Sequence, residues 1–253
     1  MKIVGCDYDG TLFFHKDLDV KDIQAIHDFR AAGNLFGLVT GRSLSWILGE
    51  MLHYGIEYDF LVLTNGGFAL DKDLNEIYRL DIAAEDAEKL IEWLLAGKHA
   101  FSVSDGIGYY NSNTSSSYPY GFRKPIGKKS YELNEIMEQR IYNKFVILGM
   151  KNETSKDSFE SLVEKFTGKI NFHFNQDTLD ISSPLASKEY GMKRIGELFV
   201  SDDIYVIGDS FNDVGMLKEF VGFAMESGSK EAKAVADYTV ESVAEALGII
   251  EEL

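Results

Sequence analysis

The fold is decided by the stretch Lys2-Ile3-Val4-Gly5-Cys6-Asp7-Tyr8-Asp9-Gly10-Thr11-Leu12. Its short apolar run ends abruptly in two carboxylates, those of Asp7 and Asp9, and a glycine. This pattern predicts a buried strand with Asp7 in its last position, which delivers acids to its C-terminal edge, where open α/β sheets bind their ligands. Because Asp-Gly is also common in turns, the stretch taken alone is equally compatible with a strand and a simple Asx turn.

A second acidic stretch favours the strand over the simple turn. It reads Asp202-Asp203-Ile204-Tyr205-Val206-Ile207-Gly208-Asp209-Ser210-Phe211-Asn212-Asp213 and again places acids after a β-branched run. If the two strands are neighbours in one parallel sheet, four carboxylates converge on one edge, namely those of Asp7, Asp9, Asp209 and Asp213. Such carboxylates repel one another unless some are protonated or a hard cation neutralises them. Mg²⁺ is the usual cation where a phosphate shares the site, so we expect Mg²⁺ here.

Composition places the chain among globular proteins and argues against some partners. Of its 253 residues, 45% are hydrophobic and 26% are charged, which is ordinary for a soluble protein of one large or two modest domains. The net charge of −16 argues against a nucleic-acid partner or an anionic membrane surface. Any phosphate site must therefore be made positive locally, by a metal and a few lysine or arginine side chains.

Cysteine use and hydropathy favour the cytoplasm. Cys6 is the single cysteine, so it cannot form an internal disulfide, and its place in the first strand predicts a small buried apolar side chain. No apolar run approaches the length of a membrane span, and the chain enters its first strand with no room for a signal peptide. We expect a cytoplasmic protein that is monomeric or weakly dimeric.

Strands and helices alternate over residues 1–82. The spacing predicts helices over 20–32 and 43–54, strands over 35–39 and 60–63, a small hairpin over 12–20 and a second hairpin over 68–80. Thr40, Gly41 and Arg42 follow the second strand and precede a helix, an arrangement that suits an anion. As a lone tripeptide, Thr-Gly-Arg is weak evidence for such a site.

The pattern changes near residue 83 and changes back near residue 186. Between these points we predict helices over 83–97, 132–139 and 158–166, a strand over 144–150, strand pairs at 100–104 with 108–111 and at 170–174 with 178–182, and an irregular loop over 113–125. A helix over 187–199, the acidic strand, and strands over 221–225 and 238–240 follow. We therefore predict an α/β domain of residues 1–82 and 186–253, with an α+β domain of residues 83–185 inserted into it.

Four motifs stand in the order found in the haloacid dehalogenase-like superfamily, which this chain resembles. They are Asp-x-Asp-Gly-Thr at 7–11, Thr40, Lys188 and Gly-Asp-Ser-x-Asn-Asp at 208–213. The ordered set is specific, although each motif alone is not. The insertion between the second and third motifs resembles the type-IIB cap of Cof-like phosphatases. The resemblance implies a Rossmann-like parallel-sheet core with an inserted α+β cap, and phosphomonoester hydrolysis that depends on Mg²⁺.

The resemblance also implies a role for each motif residue. Asp7 is the expected nucleophile, and Asp9 is the expected acid and base. The expected metal ligands are Asp7, the Asp9 backbone carbonyl and Asp209, with Asp213 acting through water or by orienting the ligands. Thr40, Gly41, Lys188 and Asn212 are expected to hold the phosphoryl oxygens, with Arg42 as a further candidate. The acid at position 9 favours phosphatase over dehalogenase chemistry.

Read one at a time, several of these residues have ordinary structural roles. A lysine at a helix start is usually solvated, so Lys188 is significant only through its place in the motif order. Asp213 could simply stabilise the dipole of its helix, and Asn212 could be a surface residue. The five histidines have no ligand spacing and are expected to be structural or exposed: His15, His27, His53, His99 and His173.

The substrate is less defined than the chemistry. The resemblance suggests a small sugar phosphate or similar metabolite, whose hydroxyls could be read by polar residues of the inserted domain: Asp105, Tyr109, Asn111, Asn175 and Asp180. Residues 223–229 depart from the usual loop of the family, and the cap looks short by about one strand-helix unit. The alternatives left open are a phosphotransferase or mutase that uses the same aspartyl phosphate, a phospho-aspartate receiver domain, and a non-catalytic metabolite-binding protein.

Overall fold

The computed structural model describes residues 1–14, 17–112, 130–149, 160, 162–175 and 178–253, without the side chains of residues 174 and 175. The predicted loop over 113–125 lies outside these residues, as do His15 and parts of the predicted elements at 12–20, 144–150 and 158–166. The chain forms two compact units. The first unit comprises Met1–Arg42, Met51–Tyr78 and Ser187–Leu253, and the second comprises Ser43–Glu50 and Arg79–Ala186.

The described residues contain both strands and helices. The strands are β1 (Ile3–Cys6), β2 (Leu35–Val39), β3 (Phe60–Leu63), β4 (Phe68–Asp71), β5 (Glu76–Arg79), β6 (Phe101–Ser104), β7 (Tyr109–Asn111), β8 (Lys144–Leu148), β9 (Asn171–Asn175), β10 (Thr178–Ser182), β11 (Ile204–Gly208), β12 (Val221–Met225) and β13 (Tyr238–Val240). The helices are α1 (Val20–Ala31), α2 (Leu44–Tyr54), α3 (Ala84–Ala96), α4 (Leu133–Gln139), α5 (162–166), α6 (Lys188–Phe199), α7 (Val214–Glu219), α8 (Lys230–Val235) and α9 (Val243–Glu252). Short 3₁₀ turns occupy Thr64–Gly66 and Phe211–Asp213. None of these helices among the described residues is long and apolar enough to cross a membrane.

Within the described part of the chain, eight strands form one sheet in the order β13-β12-β11-β1-β2-β3-β4-β5. The strands from β13 to β3 run parallel, whereas β4 is antiparallel to β3. Ile3 of β1 pairs with Ile204 of β11 and with Leu35 of β2. Parallel strands of this kind are covered on both faces, which explains their nearly continuous apolar sequences. The predicted α/β fold, with its two acidic strands as neighbours, is confirmed.

Helix α6 packs closely on the centre of this sheet. Gly5 of β1 leaves room for Met192, because a Cβ atom at position 5 would lie 2.4 Å from Met192 Sδ. Met192 and Ile195 of α6 are fully buried in one apolar cluster with Ile3. This packing holds the first residue of α6, Lys188, close to the end of β1.

The second unit has an antiparallel sheet of its own. Among the described residues its strands stand in the order β7-β6-β8-β10-β9, and each pairs antiparallel with its neighbours. Helix α3 covers this sheet with one apolar face, because Ala87, Leu90, Ile91 and Leu94 follow the helical repeat and are fully buried. The same cluster contains Phe101, and the predicted α+β character of the inserted segment is confirmed.

The predicted helices and strands whose two ends lie among the described residues agree with the structure to within two residues at either end. The hairpin predicted over 12–20 is wrong for the described residues, which form isolated bridges there and no strands. The predicted bounds of β2, β3, β10, β12 and β13 are the observed ones. Asp7 was expected as the last residue of its strand, but β1 ends at Cys6. The ladder nevertheless continues to Asp7, whose N–H donates to Ile207 O at 2.9 Å. Cys6 is fully buried, as expected.

Candidate active site

The candidate site lies at the carboxyl edge of the parallel sheet, within the first unit. Asp7 follows β1, Thr40 follows β2 and Asp209 follows β11. The N–H of Thr40 donates to Val62 O at 2.8 Å, so the ladder of the sheet fixes Thr40 as it fixes Asp7. Because neighbouring parallel strands end at the same edge, motifs that are far apart in sequence meet here.

Three carboxylates form an acidic cluster at this edge. Carboxylate oxygens of Asp7, Asp209 and Asp213 lie within 4.8 Å of one another. Lys188 Nζ donates to Asp7 Oδ1 at 2.5 Å and to Asp213 Oδ1 at 2.6 Å. Asp7, Asp213 and Lys188 are all buried. One ammonium against three carboxylates leaves a local excess of negative charge.

Lys188 is part of this cluster and is not a solvated helix-start lysine. It is the first residue of α6, whose N-cap Ser187 accepts a hydrogen bond from Tyr190 N through its hydroxyl. The Lys188 side chain is 1% exposed. Burial alone would lower its pKa, but the carboxylates of Asp213 and Asp7 outweigh burial and raise the pKa above its usual value. Lys188 is therefore a fixed cation at neutral pH.

Asp213 closes the turn that carries the fourth motif. Its Oδ2 accepts hydrogen bonds from Asp209 N at 3.1 Å and Ser210 N at 3.0 Å, while its Oδ1 binds Lys188. Asp213 thus combines the two roles considered from sequence. It organises a helix start, as in a capping box, and it also belongs to the acidic cluster.

The acidic cluster changes the ionisation of its members. Burial raises the pKa of Asp7 well above its usual value; Lys188 opposes this effect, and Asp213 and Asp209 reinforce it. Burial also raises the pKa of Asp209. The nearby Asp213 carboxylate raises this pKa further, whereas the hydrogen bond from Thr11 lowers it. These shifts record the cost of holding like charges together away from water.

The donor set of the cluster fits a hard divalent cation such as Mg²⁺. Such ions prefer carboxylate oxygens, and three carboxylates offer oxygens within 4.8 Å of one another. A bound cation would offset the charge that Lys188 alone does not balance. Both oxygens of Asp213 already accept hydrogen bonds, which suits an orienting role, so Asp7 and Asp209 are the better direct ligands.

The carboxylate of Asp9 forms an ion pair outside the cluster. Arg42 Nε donates to Asp9 Oδ2 at 2.8 Å, and Arg42 Nη2 donates to Asp9 Oδ1 at 2.5 Å. The guanidinium lies 4.7 Å from the centre of the Tyr8 ring, over its face. The sequence predicted that four carboxylates would converge, and the structure brings three of them together. The fourth is bound by Arg42 because the turn after β2 places a guanidinium beside it.

The predicted phosphate-binding residues surround the same edge. Thr40 is fully buried, and its Oγ1 accepts a hydrogen bond from Arg42 N at 3.2 Å. Asn212 Nδ2 donates to Asn65 Oδ1 at 3.3 Å. Gly41 packs against the same Asn65 amide, because a Cβ atom at position 41 would lie 2.9 Å from Asn65 Oδ1. Gly41 and Asn212, from different motifs, therefore meet at one side chain.

Sequence reasoning missed two residues of this site. Thr11 is buried, and its Oγ1 donates to Asp209 Oδ1 at 2.9 Å, which fixes that carboxylate. Asn65 joins Gly41 to Asn212 as described above. The signal for Thr11 was its place in the first motif. The signal for Asn65 was an Asn-Gly pair directly after a buried strand, where β3 meets the edge that β1 and β2 also reach.

Three of the polar residues of the second unit that were expected to bind sugar hydroxyls have partners within that unit. Asp105 Oδ1 accepts from Gly108 N at 2.7 Å and shapes the turn between β6 and β7. Asp180 forms a buried ion pair with Lys144 at 2.6 Å. Tyr109 is buried, and its ring lies 5.1 Å from that of Trp46. Asn111 is half-buried in β7, and the side chain of Asn175 lies outside the described atoms. Sugar recognition by these residues stays a prediction.

Comparison with known proteins decides the family. A family model for haloacid dehalogenase-like hydrolases matches residues 4–253. The chain is a haloacid dehalogenase-like hydrolase. The expected superfamily is therefore confirmed, and so is the expected enzyme class, since relatives of this hydrolase include phosphatases.

Three relatives of this hydrolase are distant in sequence and cover at least 96% of its length. It is 23% identical over 257 residues to the 5-amino-6-(5-phospho-D-ribitylamino)uracil phosphatase of Bacillus subtilis, with 96% of this chain and 90% of the relative covered. A haloacid dehalogenase-like hydrolase from Bacteroides thetaiotaomicron has the same fold, with a TM-score of 0.84, 22% identity and 98% and 99% of the two chains covered. A subclass IIB sugar phosphatase of the superfamily also shares it, with a TM-score of 0.79, 19% identity and 100% and 97% covered.

Proposed function

We propose that this hydrolase is a Mg²⁺-dependent phosphomonoesterase that acts through an aspartyl phosphate on a sugar phosphate or a similar small phosphorylated metabolite. The observation that carries the proposal is the buried contact of Lys188 with Asp7 and Asp213 at the end of β1, with Asp9 two residues beyond Asp7. The family supports this chemistry, and the sugar phosphatase and the phospho-ribitylamino-uracil phosphatase among the relatives support the substrate class.

In the first half-reaction, Asp7 is the nucleophile. A carboxylate oxygen of Asp7 forms a bond to phosphorus, and the bond from phosphorus to the substrate oxygen breaks in line with it. The Asp9 carboxyl gives its proton to the leaving oxygen, so an alcohol departs and Asp7 becomes an aspartyl phosphate. Lys188, which contacts Asp7, is placed to offset negative charge on the transferring phosphoryl group.

In the second half-reaction, Asp9 acts as a base. Its carboxylate takes a proton from water while the water oxygen attacks phosphorus, and the bond from phosphorus to Asp7 breaks. Inorganic phosphate leaves, the Asp7 carboxylate is restored and Asp9 is again protonated for the next turnover. Thr40, Gly41 and Asn212 hold the phosphoryl oxygens through both steps, and Arg42 acts on Asp9 or on the phosphate itself.

Mg²⁺ would be held by Asp7, Asp209 and the Asp9 carbonyl, with Asp213 orienting these ligands, and it would supply the positive charge that brings a phosphate dianion to an acidic edge. This charge matters because the whole chain carries −16 and repels anions at long range. We further propose residues 1–82 and 186–253 as the catalytic domain, residues 83–185 as the cap, and the cytoplasm as the location.

The test is phosphate release from sugar phosphates, nucleotides and an aryl phosphate, with and without Mg²⁺. Wild type should turn over at least one class with Mg²⁺, and chelation should abolish turnover. Asp9→Asn should lower kcat by about 10²- to 10⁴-fold, as expected for the loss of a general acid. Asp7→Asn should be inactive while still folded by circular dichroism.

Three outcomes would contradict the proposal. Metal-independent turnover would remove the assigned role of the acidic cluster. A stable acyl phosphate without turnover would favour signalling, and phosphoryl transfer to an added alcohol in preference to water would favour the phosphotransferase.

A further inference from the structure

Residues 64–66 form an unusual turn directly after β3. Thr64, Asn65 and Gly66 have φ angles of 52°, 57° and 89°, so three consecutive residues adopt the left-handed region. Glycine and asparagine tolerate this region, but it is a genuine outlier for a β-branched residue such as Thr64. Backbone of this kind persists only where its surroundings determine it, and it concentrates at functional sites.

The turn is held by the segments that carry two of the motifs. Asn65 N donates to Thr40 O, and Thr64 N donates to Arg42 O, both at 3.0 Å. On its other side the turn touches the start of α6, because a Cβ atom on Gly66 would lie 1.9 Å from Ser187 O. The turn therefore contacts the residue that precedes Lys188 as well as the segment from Thr40 to Arg42.

The Asn65 amide also contacts the fourth motif, at residues 208–213. Its Oδ1 accepts a hydrogen bond from Asn212 Nδ2 at 3.3 Å, and the Asn65 amide packs on Gly41. The Oδ1 of Asn212 accepts from the Ser210 hydroxyl. The Asn212 amide is thus bonded at both of its ends, which fixes which end carries the NH₂ group. An amide NH₂ has two N–H donors, so one remains to be given to a phosphoryl oxygen.

We propose that Asn65 is a positioning residue for phosphoryl transfer. It acts through Asn212, whose amide it orients, and through the backbone at Gly41, against which it packs. This inference rests on the proposed function, because it takes Gly41 and Asn212 as groups that hold the phosphoryl oxygens. The left-handed turn is what delivers the Asn65 side chain to both of them, and asparagine is the side chain that combines this backbone with a neutral acceptor.

The main test is Asn65→Gly, which keeps the left-handed backbone and removes only the amide. With an aryl phosphate and Mg²⁺, we expect kcat/KM to fall by about tenfold, less than for direct loss of a transition-state donor. The matched control is Leu74→Gly, since Leu74 also has a positive φ of 63° but lies in the turn between β4 and β5. This control should keep the wild-type kcat and KM.

A double mutant separates positioning from a general structural role. Asn65→Gly combined with Asn212→Ala should lose less activity than the product of the two single losses, because the part of the Asn65 effect that acts through Asn212 is already absent in Asn212→Ala. Losses that multiply in the double mutant would overturn the proposal, and so would wild-type kcat/KM in Asn65→Gly.

Binding of inorganic phosphate, measured by calorimetry with Mg²⁺, provides a readout that does not depend on turnover. We expect about tenfold weaker binding by Asn65→Gly than by wild type, in line with the kinetic loss. Equal affinities would overturn the inference. If wild type binds phosphate but hydrolyses no ester, the proposed function fails alone, whereas absence of phosphate binding by wild type would overturn both.

Discussion

Lys188 neutralises part of the negative charge of the acidic cluster. Its ammonium bridges Asp7 and Asp213, and all three side chains are almost fully removed from water. Removing one partner of a buried ion pair leaves the other charge uncompensated, which is far more harmful than losing a pair at the surface. Because the proposed function also has Lys188 offset charge on the phosphoryl group, a single substitution should disturb both stability and catalysis.

Lys188→Met should lower the free energy of unfolding by about 3–5 kcal/mol at neutral pH and abolish phosphatase activity. Urea unfolding measures the first effect, and phosphate release measures the second. Lys193→Met is the matched control, because Lys193 lies on the same helix but pairs with Glu219 at the surface, with both side chains about half exposed. A Lys188→Met variant as stable as this control would show that the buried ion pairs of Lys188 do not stabilise the fold.

Arg42 donates two hydrogen bonds to the Asp9 carboxylate, and the role of this ion pair can be tested by kinetics. If Arg42 orients the general acid, Arg42→Met should slow hydrolysis of alkyl phosphates by about 10- to 100-fold, because their leaving oxygen needs a proton. Hydrolysis of an activated aryl phosphate, whose leaving group needs little protonation, should change much less. If Arg42 instead contacts the phosphate, the rates of hydrolysis of both substrates should fall by the same factor.

The control for Arg42 is Arg30→Met, which should leave both rates unchanged. Arg30 also makes a two-pronged ion pair, through Nε and Nη2 with Asp59, but it belongs to α1 and lies outside the site. The ratio of kcat/KM values for the two substrate types distinguishes the two roles of Arg42.

At the scale of elements, close approach between the central strands sets where the motifs meet. Gly37 of β2 lies against Phe60 of β3, and a Cβ atom at position 37 would be 2.5 Å from Phe60 O. Backbone atoms cannot move aside as a flexible side chain can. The spacing of β2 and β3, and hence the positions of Thr40 and Asn65 beyond them, depends on this glycine.

Gly37→Ala should therefore destabilise the protein by about 1–3 kcal/mol, the usual range for overpacking. Gly248→Ala is the opposite case, since position 248 lies within α9 and a Cβ there meets nothing within 4 Å. This second change should stabilise by about 0.5–1 kcal/mol through helix propensity. Thermal and urea unfolding of the two variants would show the opposite signs, and equal effects would contradict the packing argument.

At the scale of the whole molecule, the net charge of −16 and the acidic cluster predict that the protein binds a divalent cation. Mg²⁺ that binds only the folded state should raise Tm. At a Mg²⁺ concentration one hundred times Kd, the free energy of unfolding should rise by about 2.7 kcal/mol. Asp209→Asn should remove most of this shift. Asp73→Asn, in the exposed turn after β4, should retain it, and an equal loss in both variants would indicate non-specific charge screening.

Much of this protein was determined by its sequence alone. Short, mainly apolar runs of three to five residues predicted β2, β3, β12 and β13 with their observed bounds, because strand formation follows local pattern. The order of the motifs predicted the family, and two acidic turns after buried strands predicted that Asp7, Asp209 and Asp213 would meet, as they do. These inferences succeed because parallel neighbours must end at one edge.

Tertiary structure alone decided the partners of the individual side chains. A lysine at a helix start is indistinguishable in sequence from a solvated one, and only the packing of α6 on Gly5 brings Lys188 between two carboxylates. The pairing of Asp9 with Arg42 and the meeting of Gly41 and Asn212 at Asn65 join residues 33, 24 and 147 positions apart. Local patterns carry no information on such distances, because they are set by how the strands and helices pack against one another.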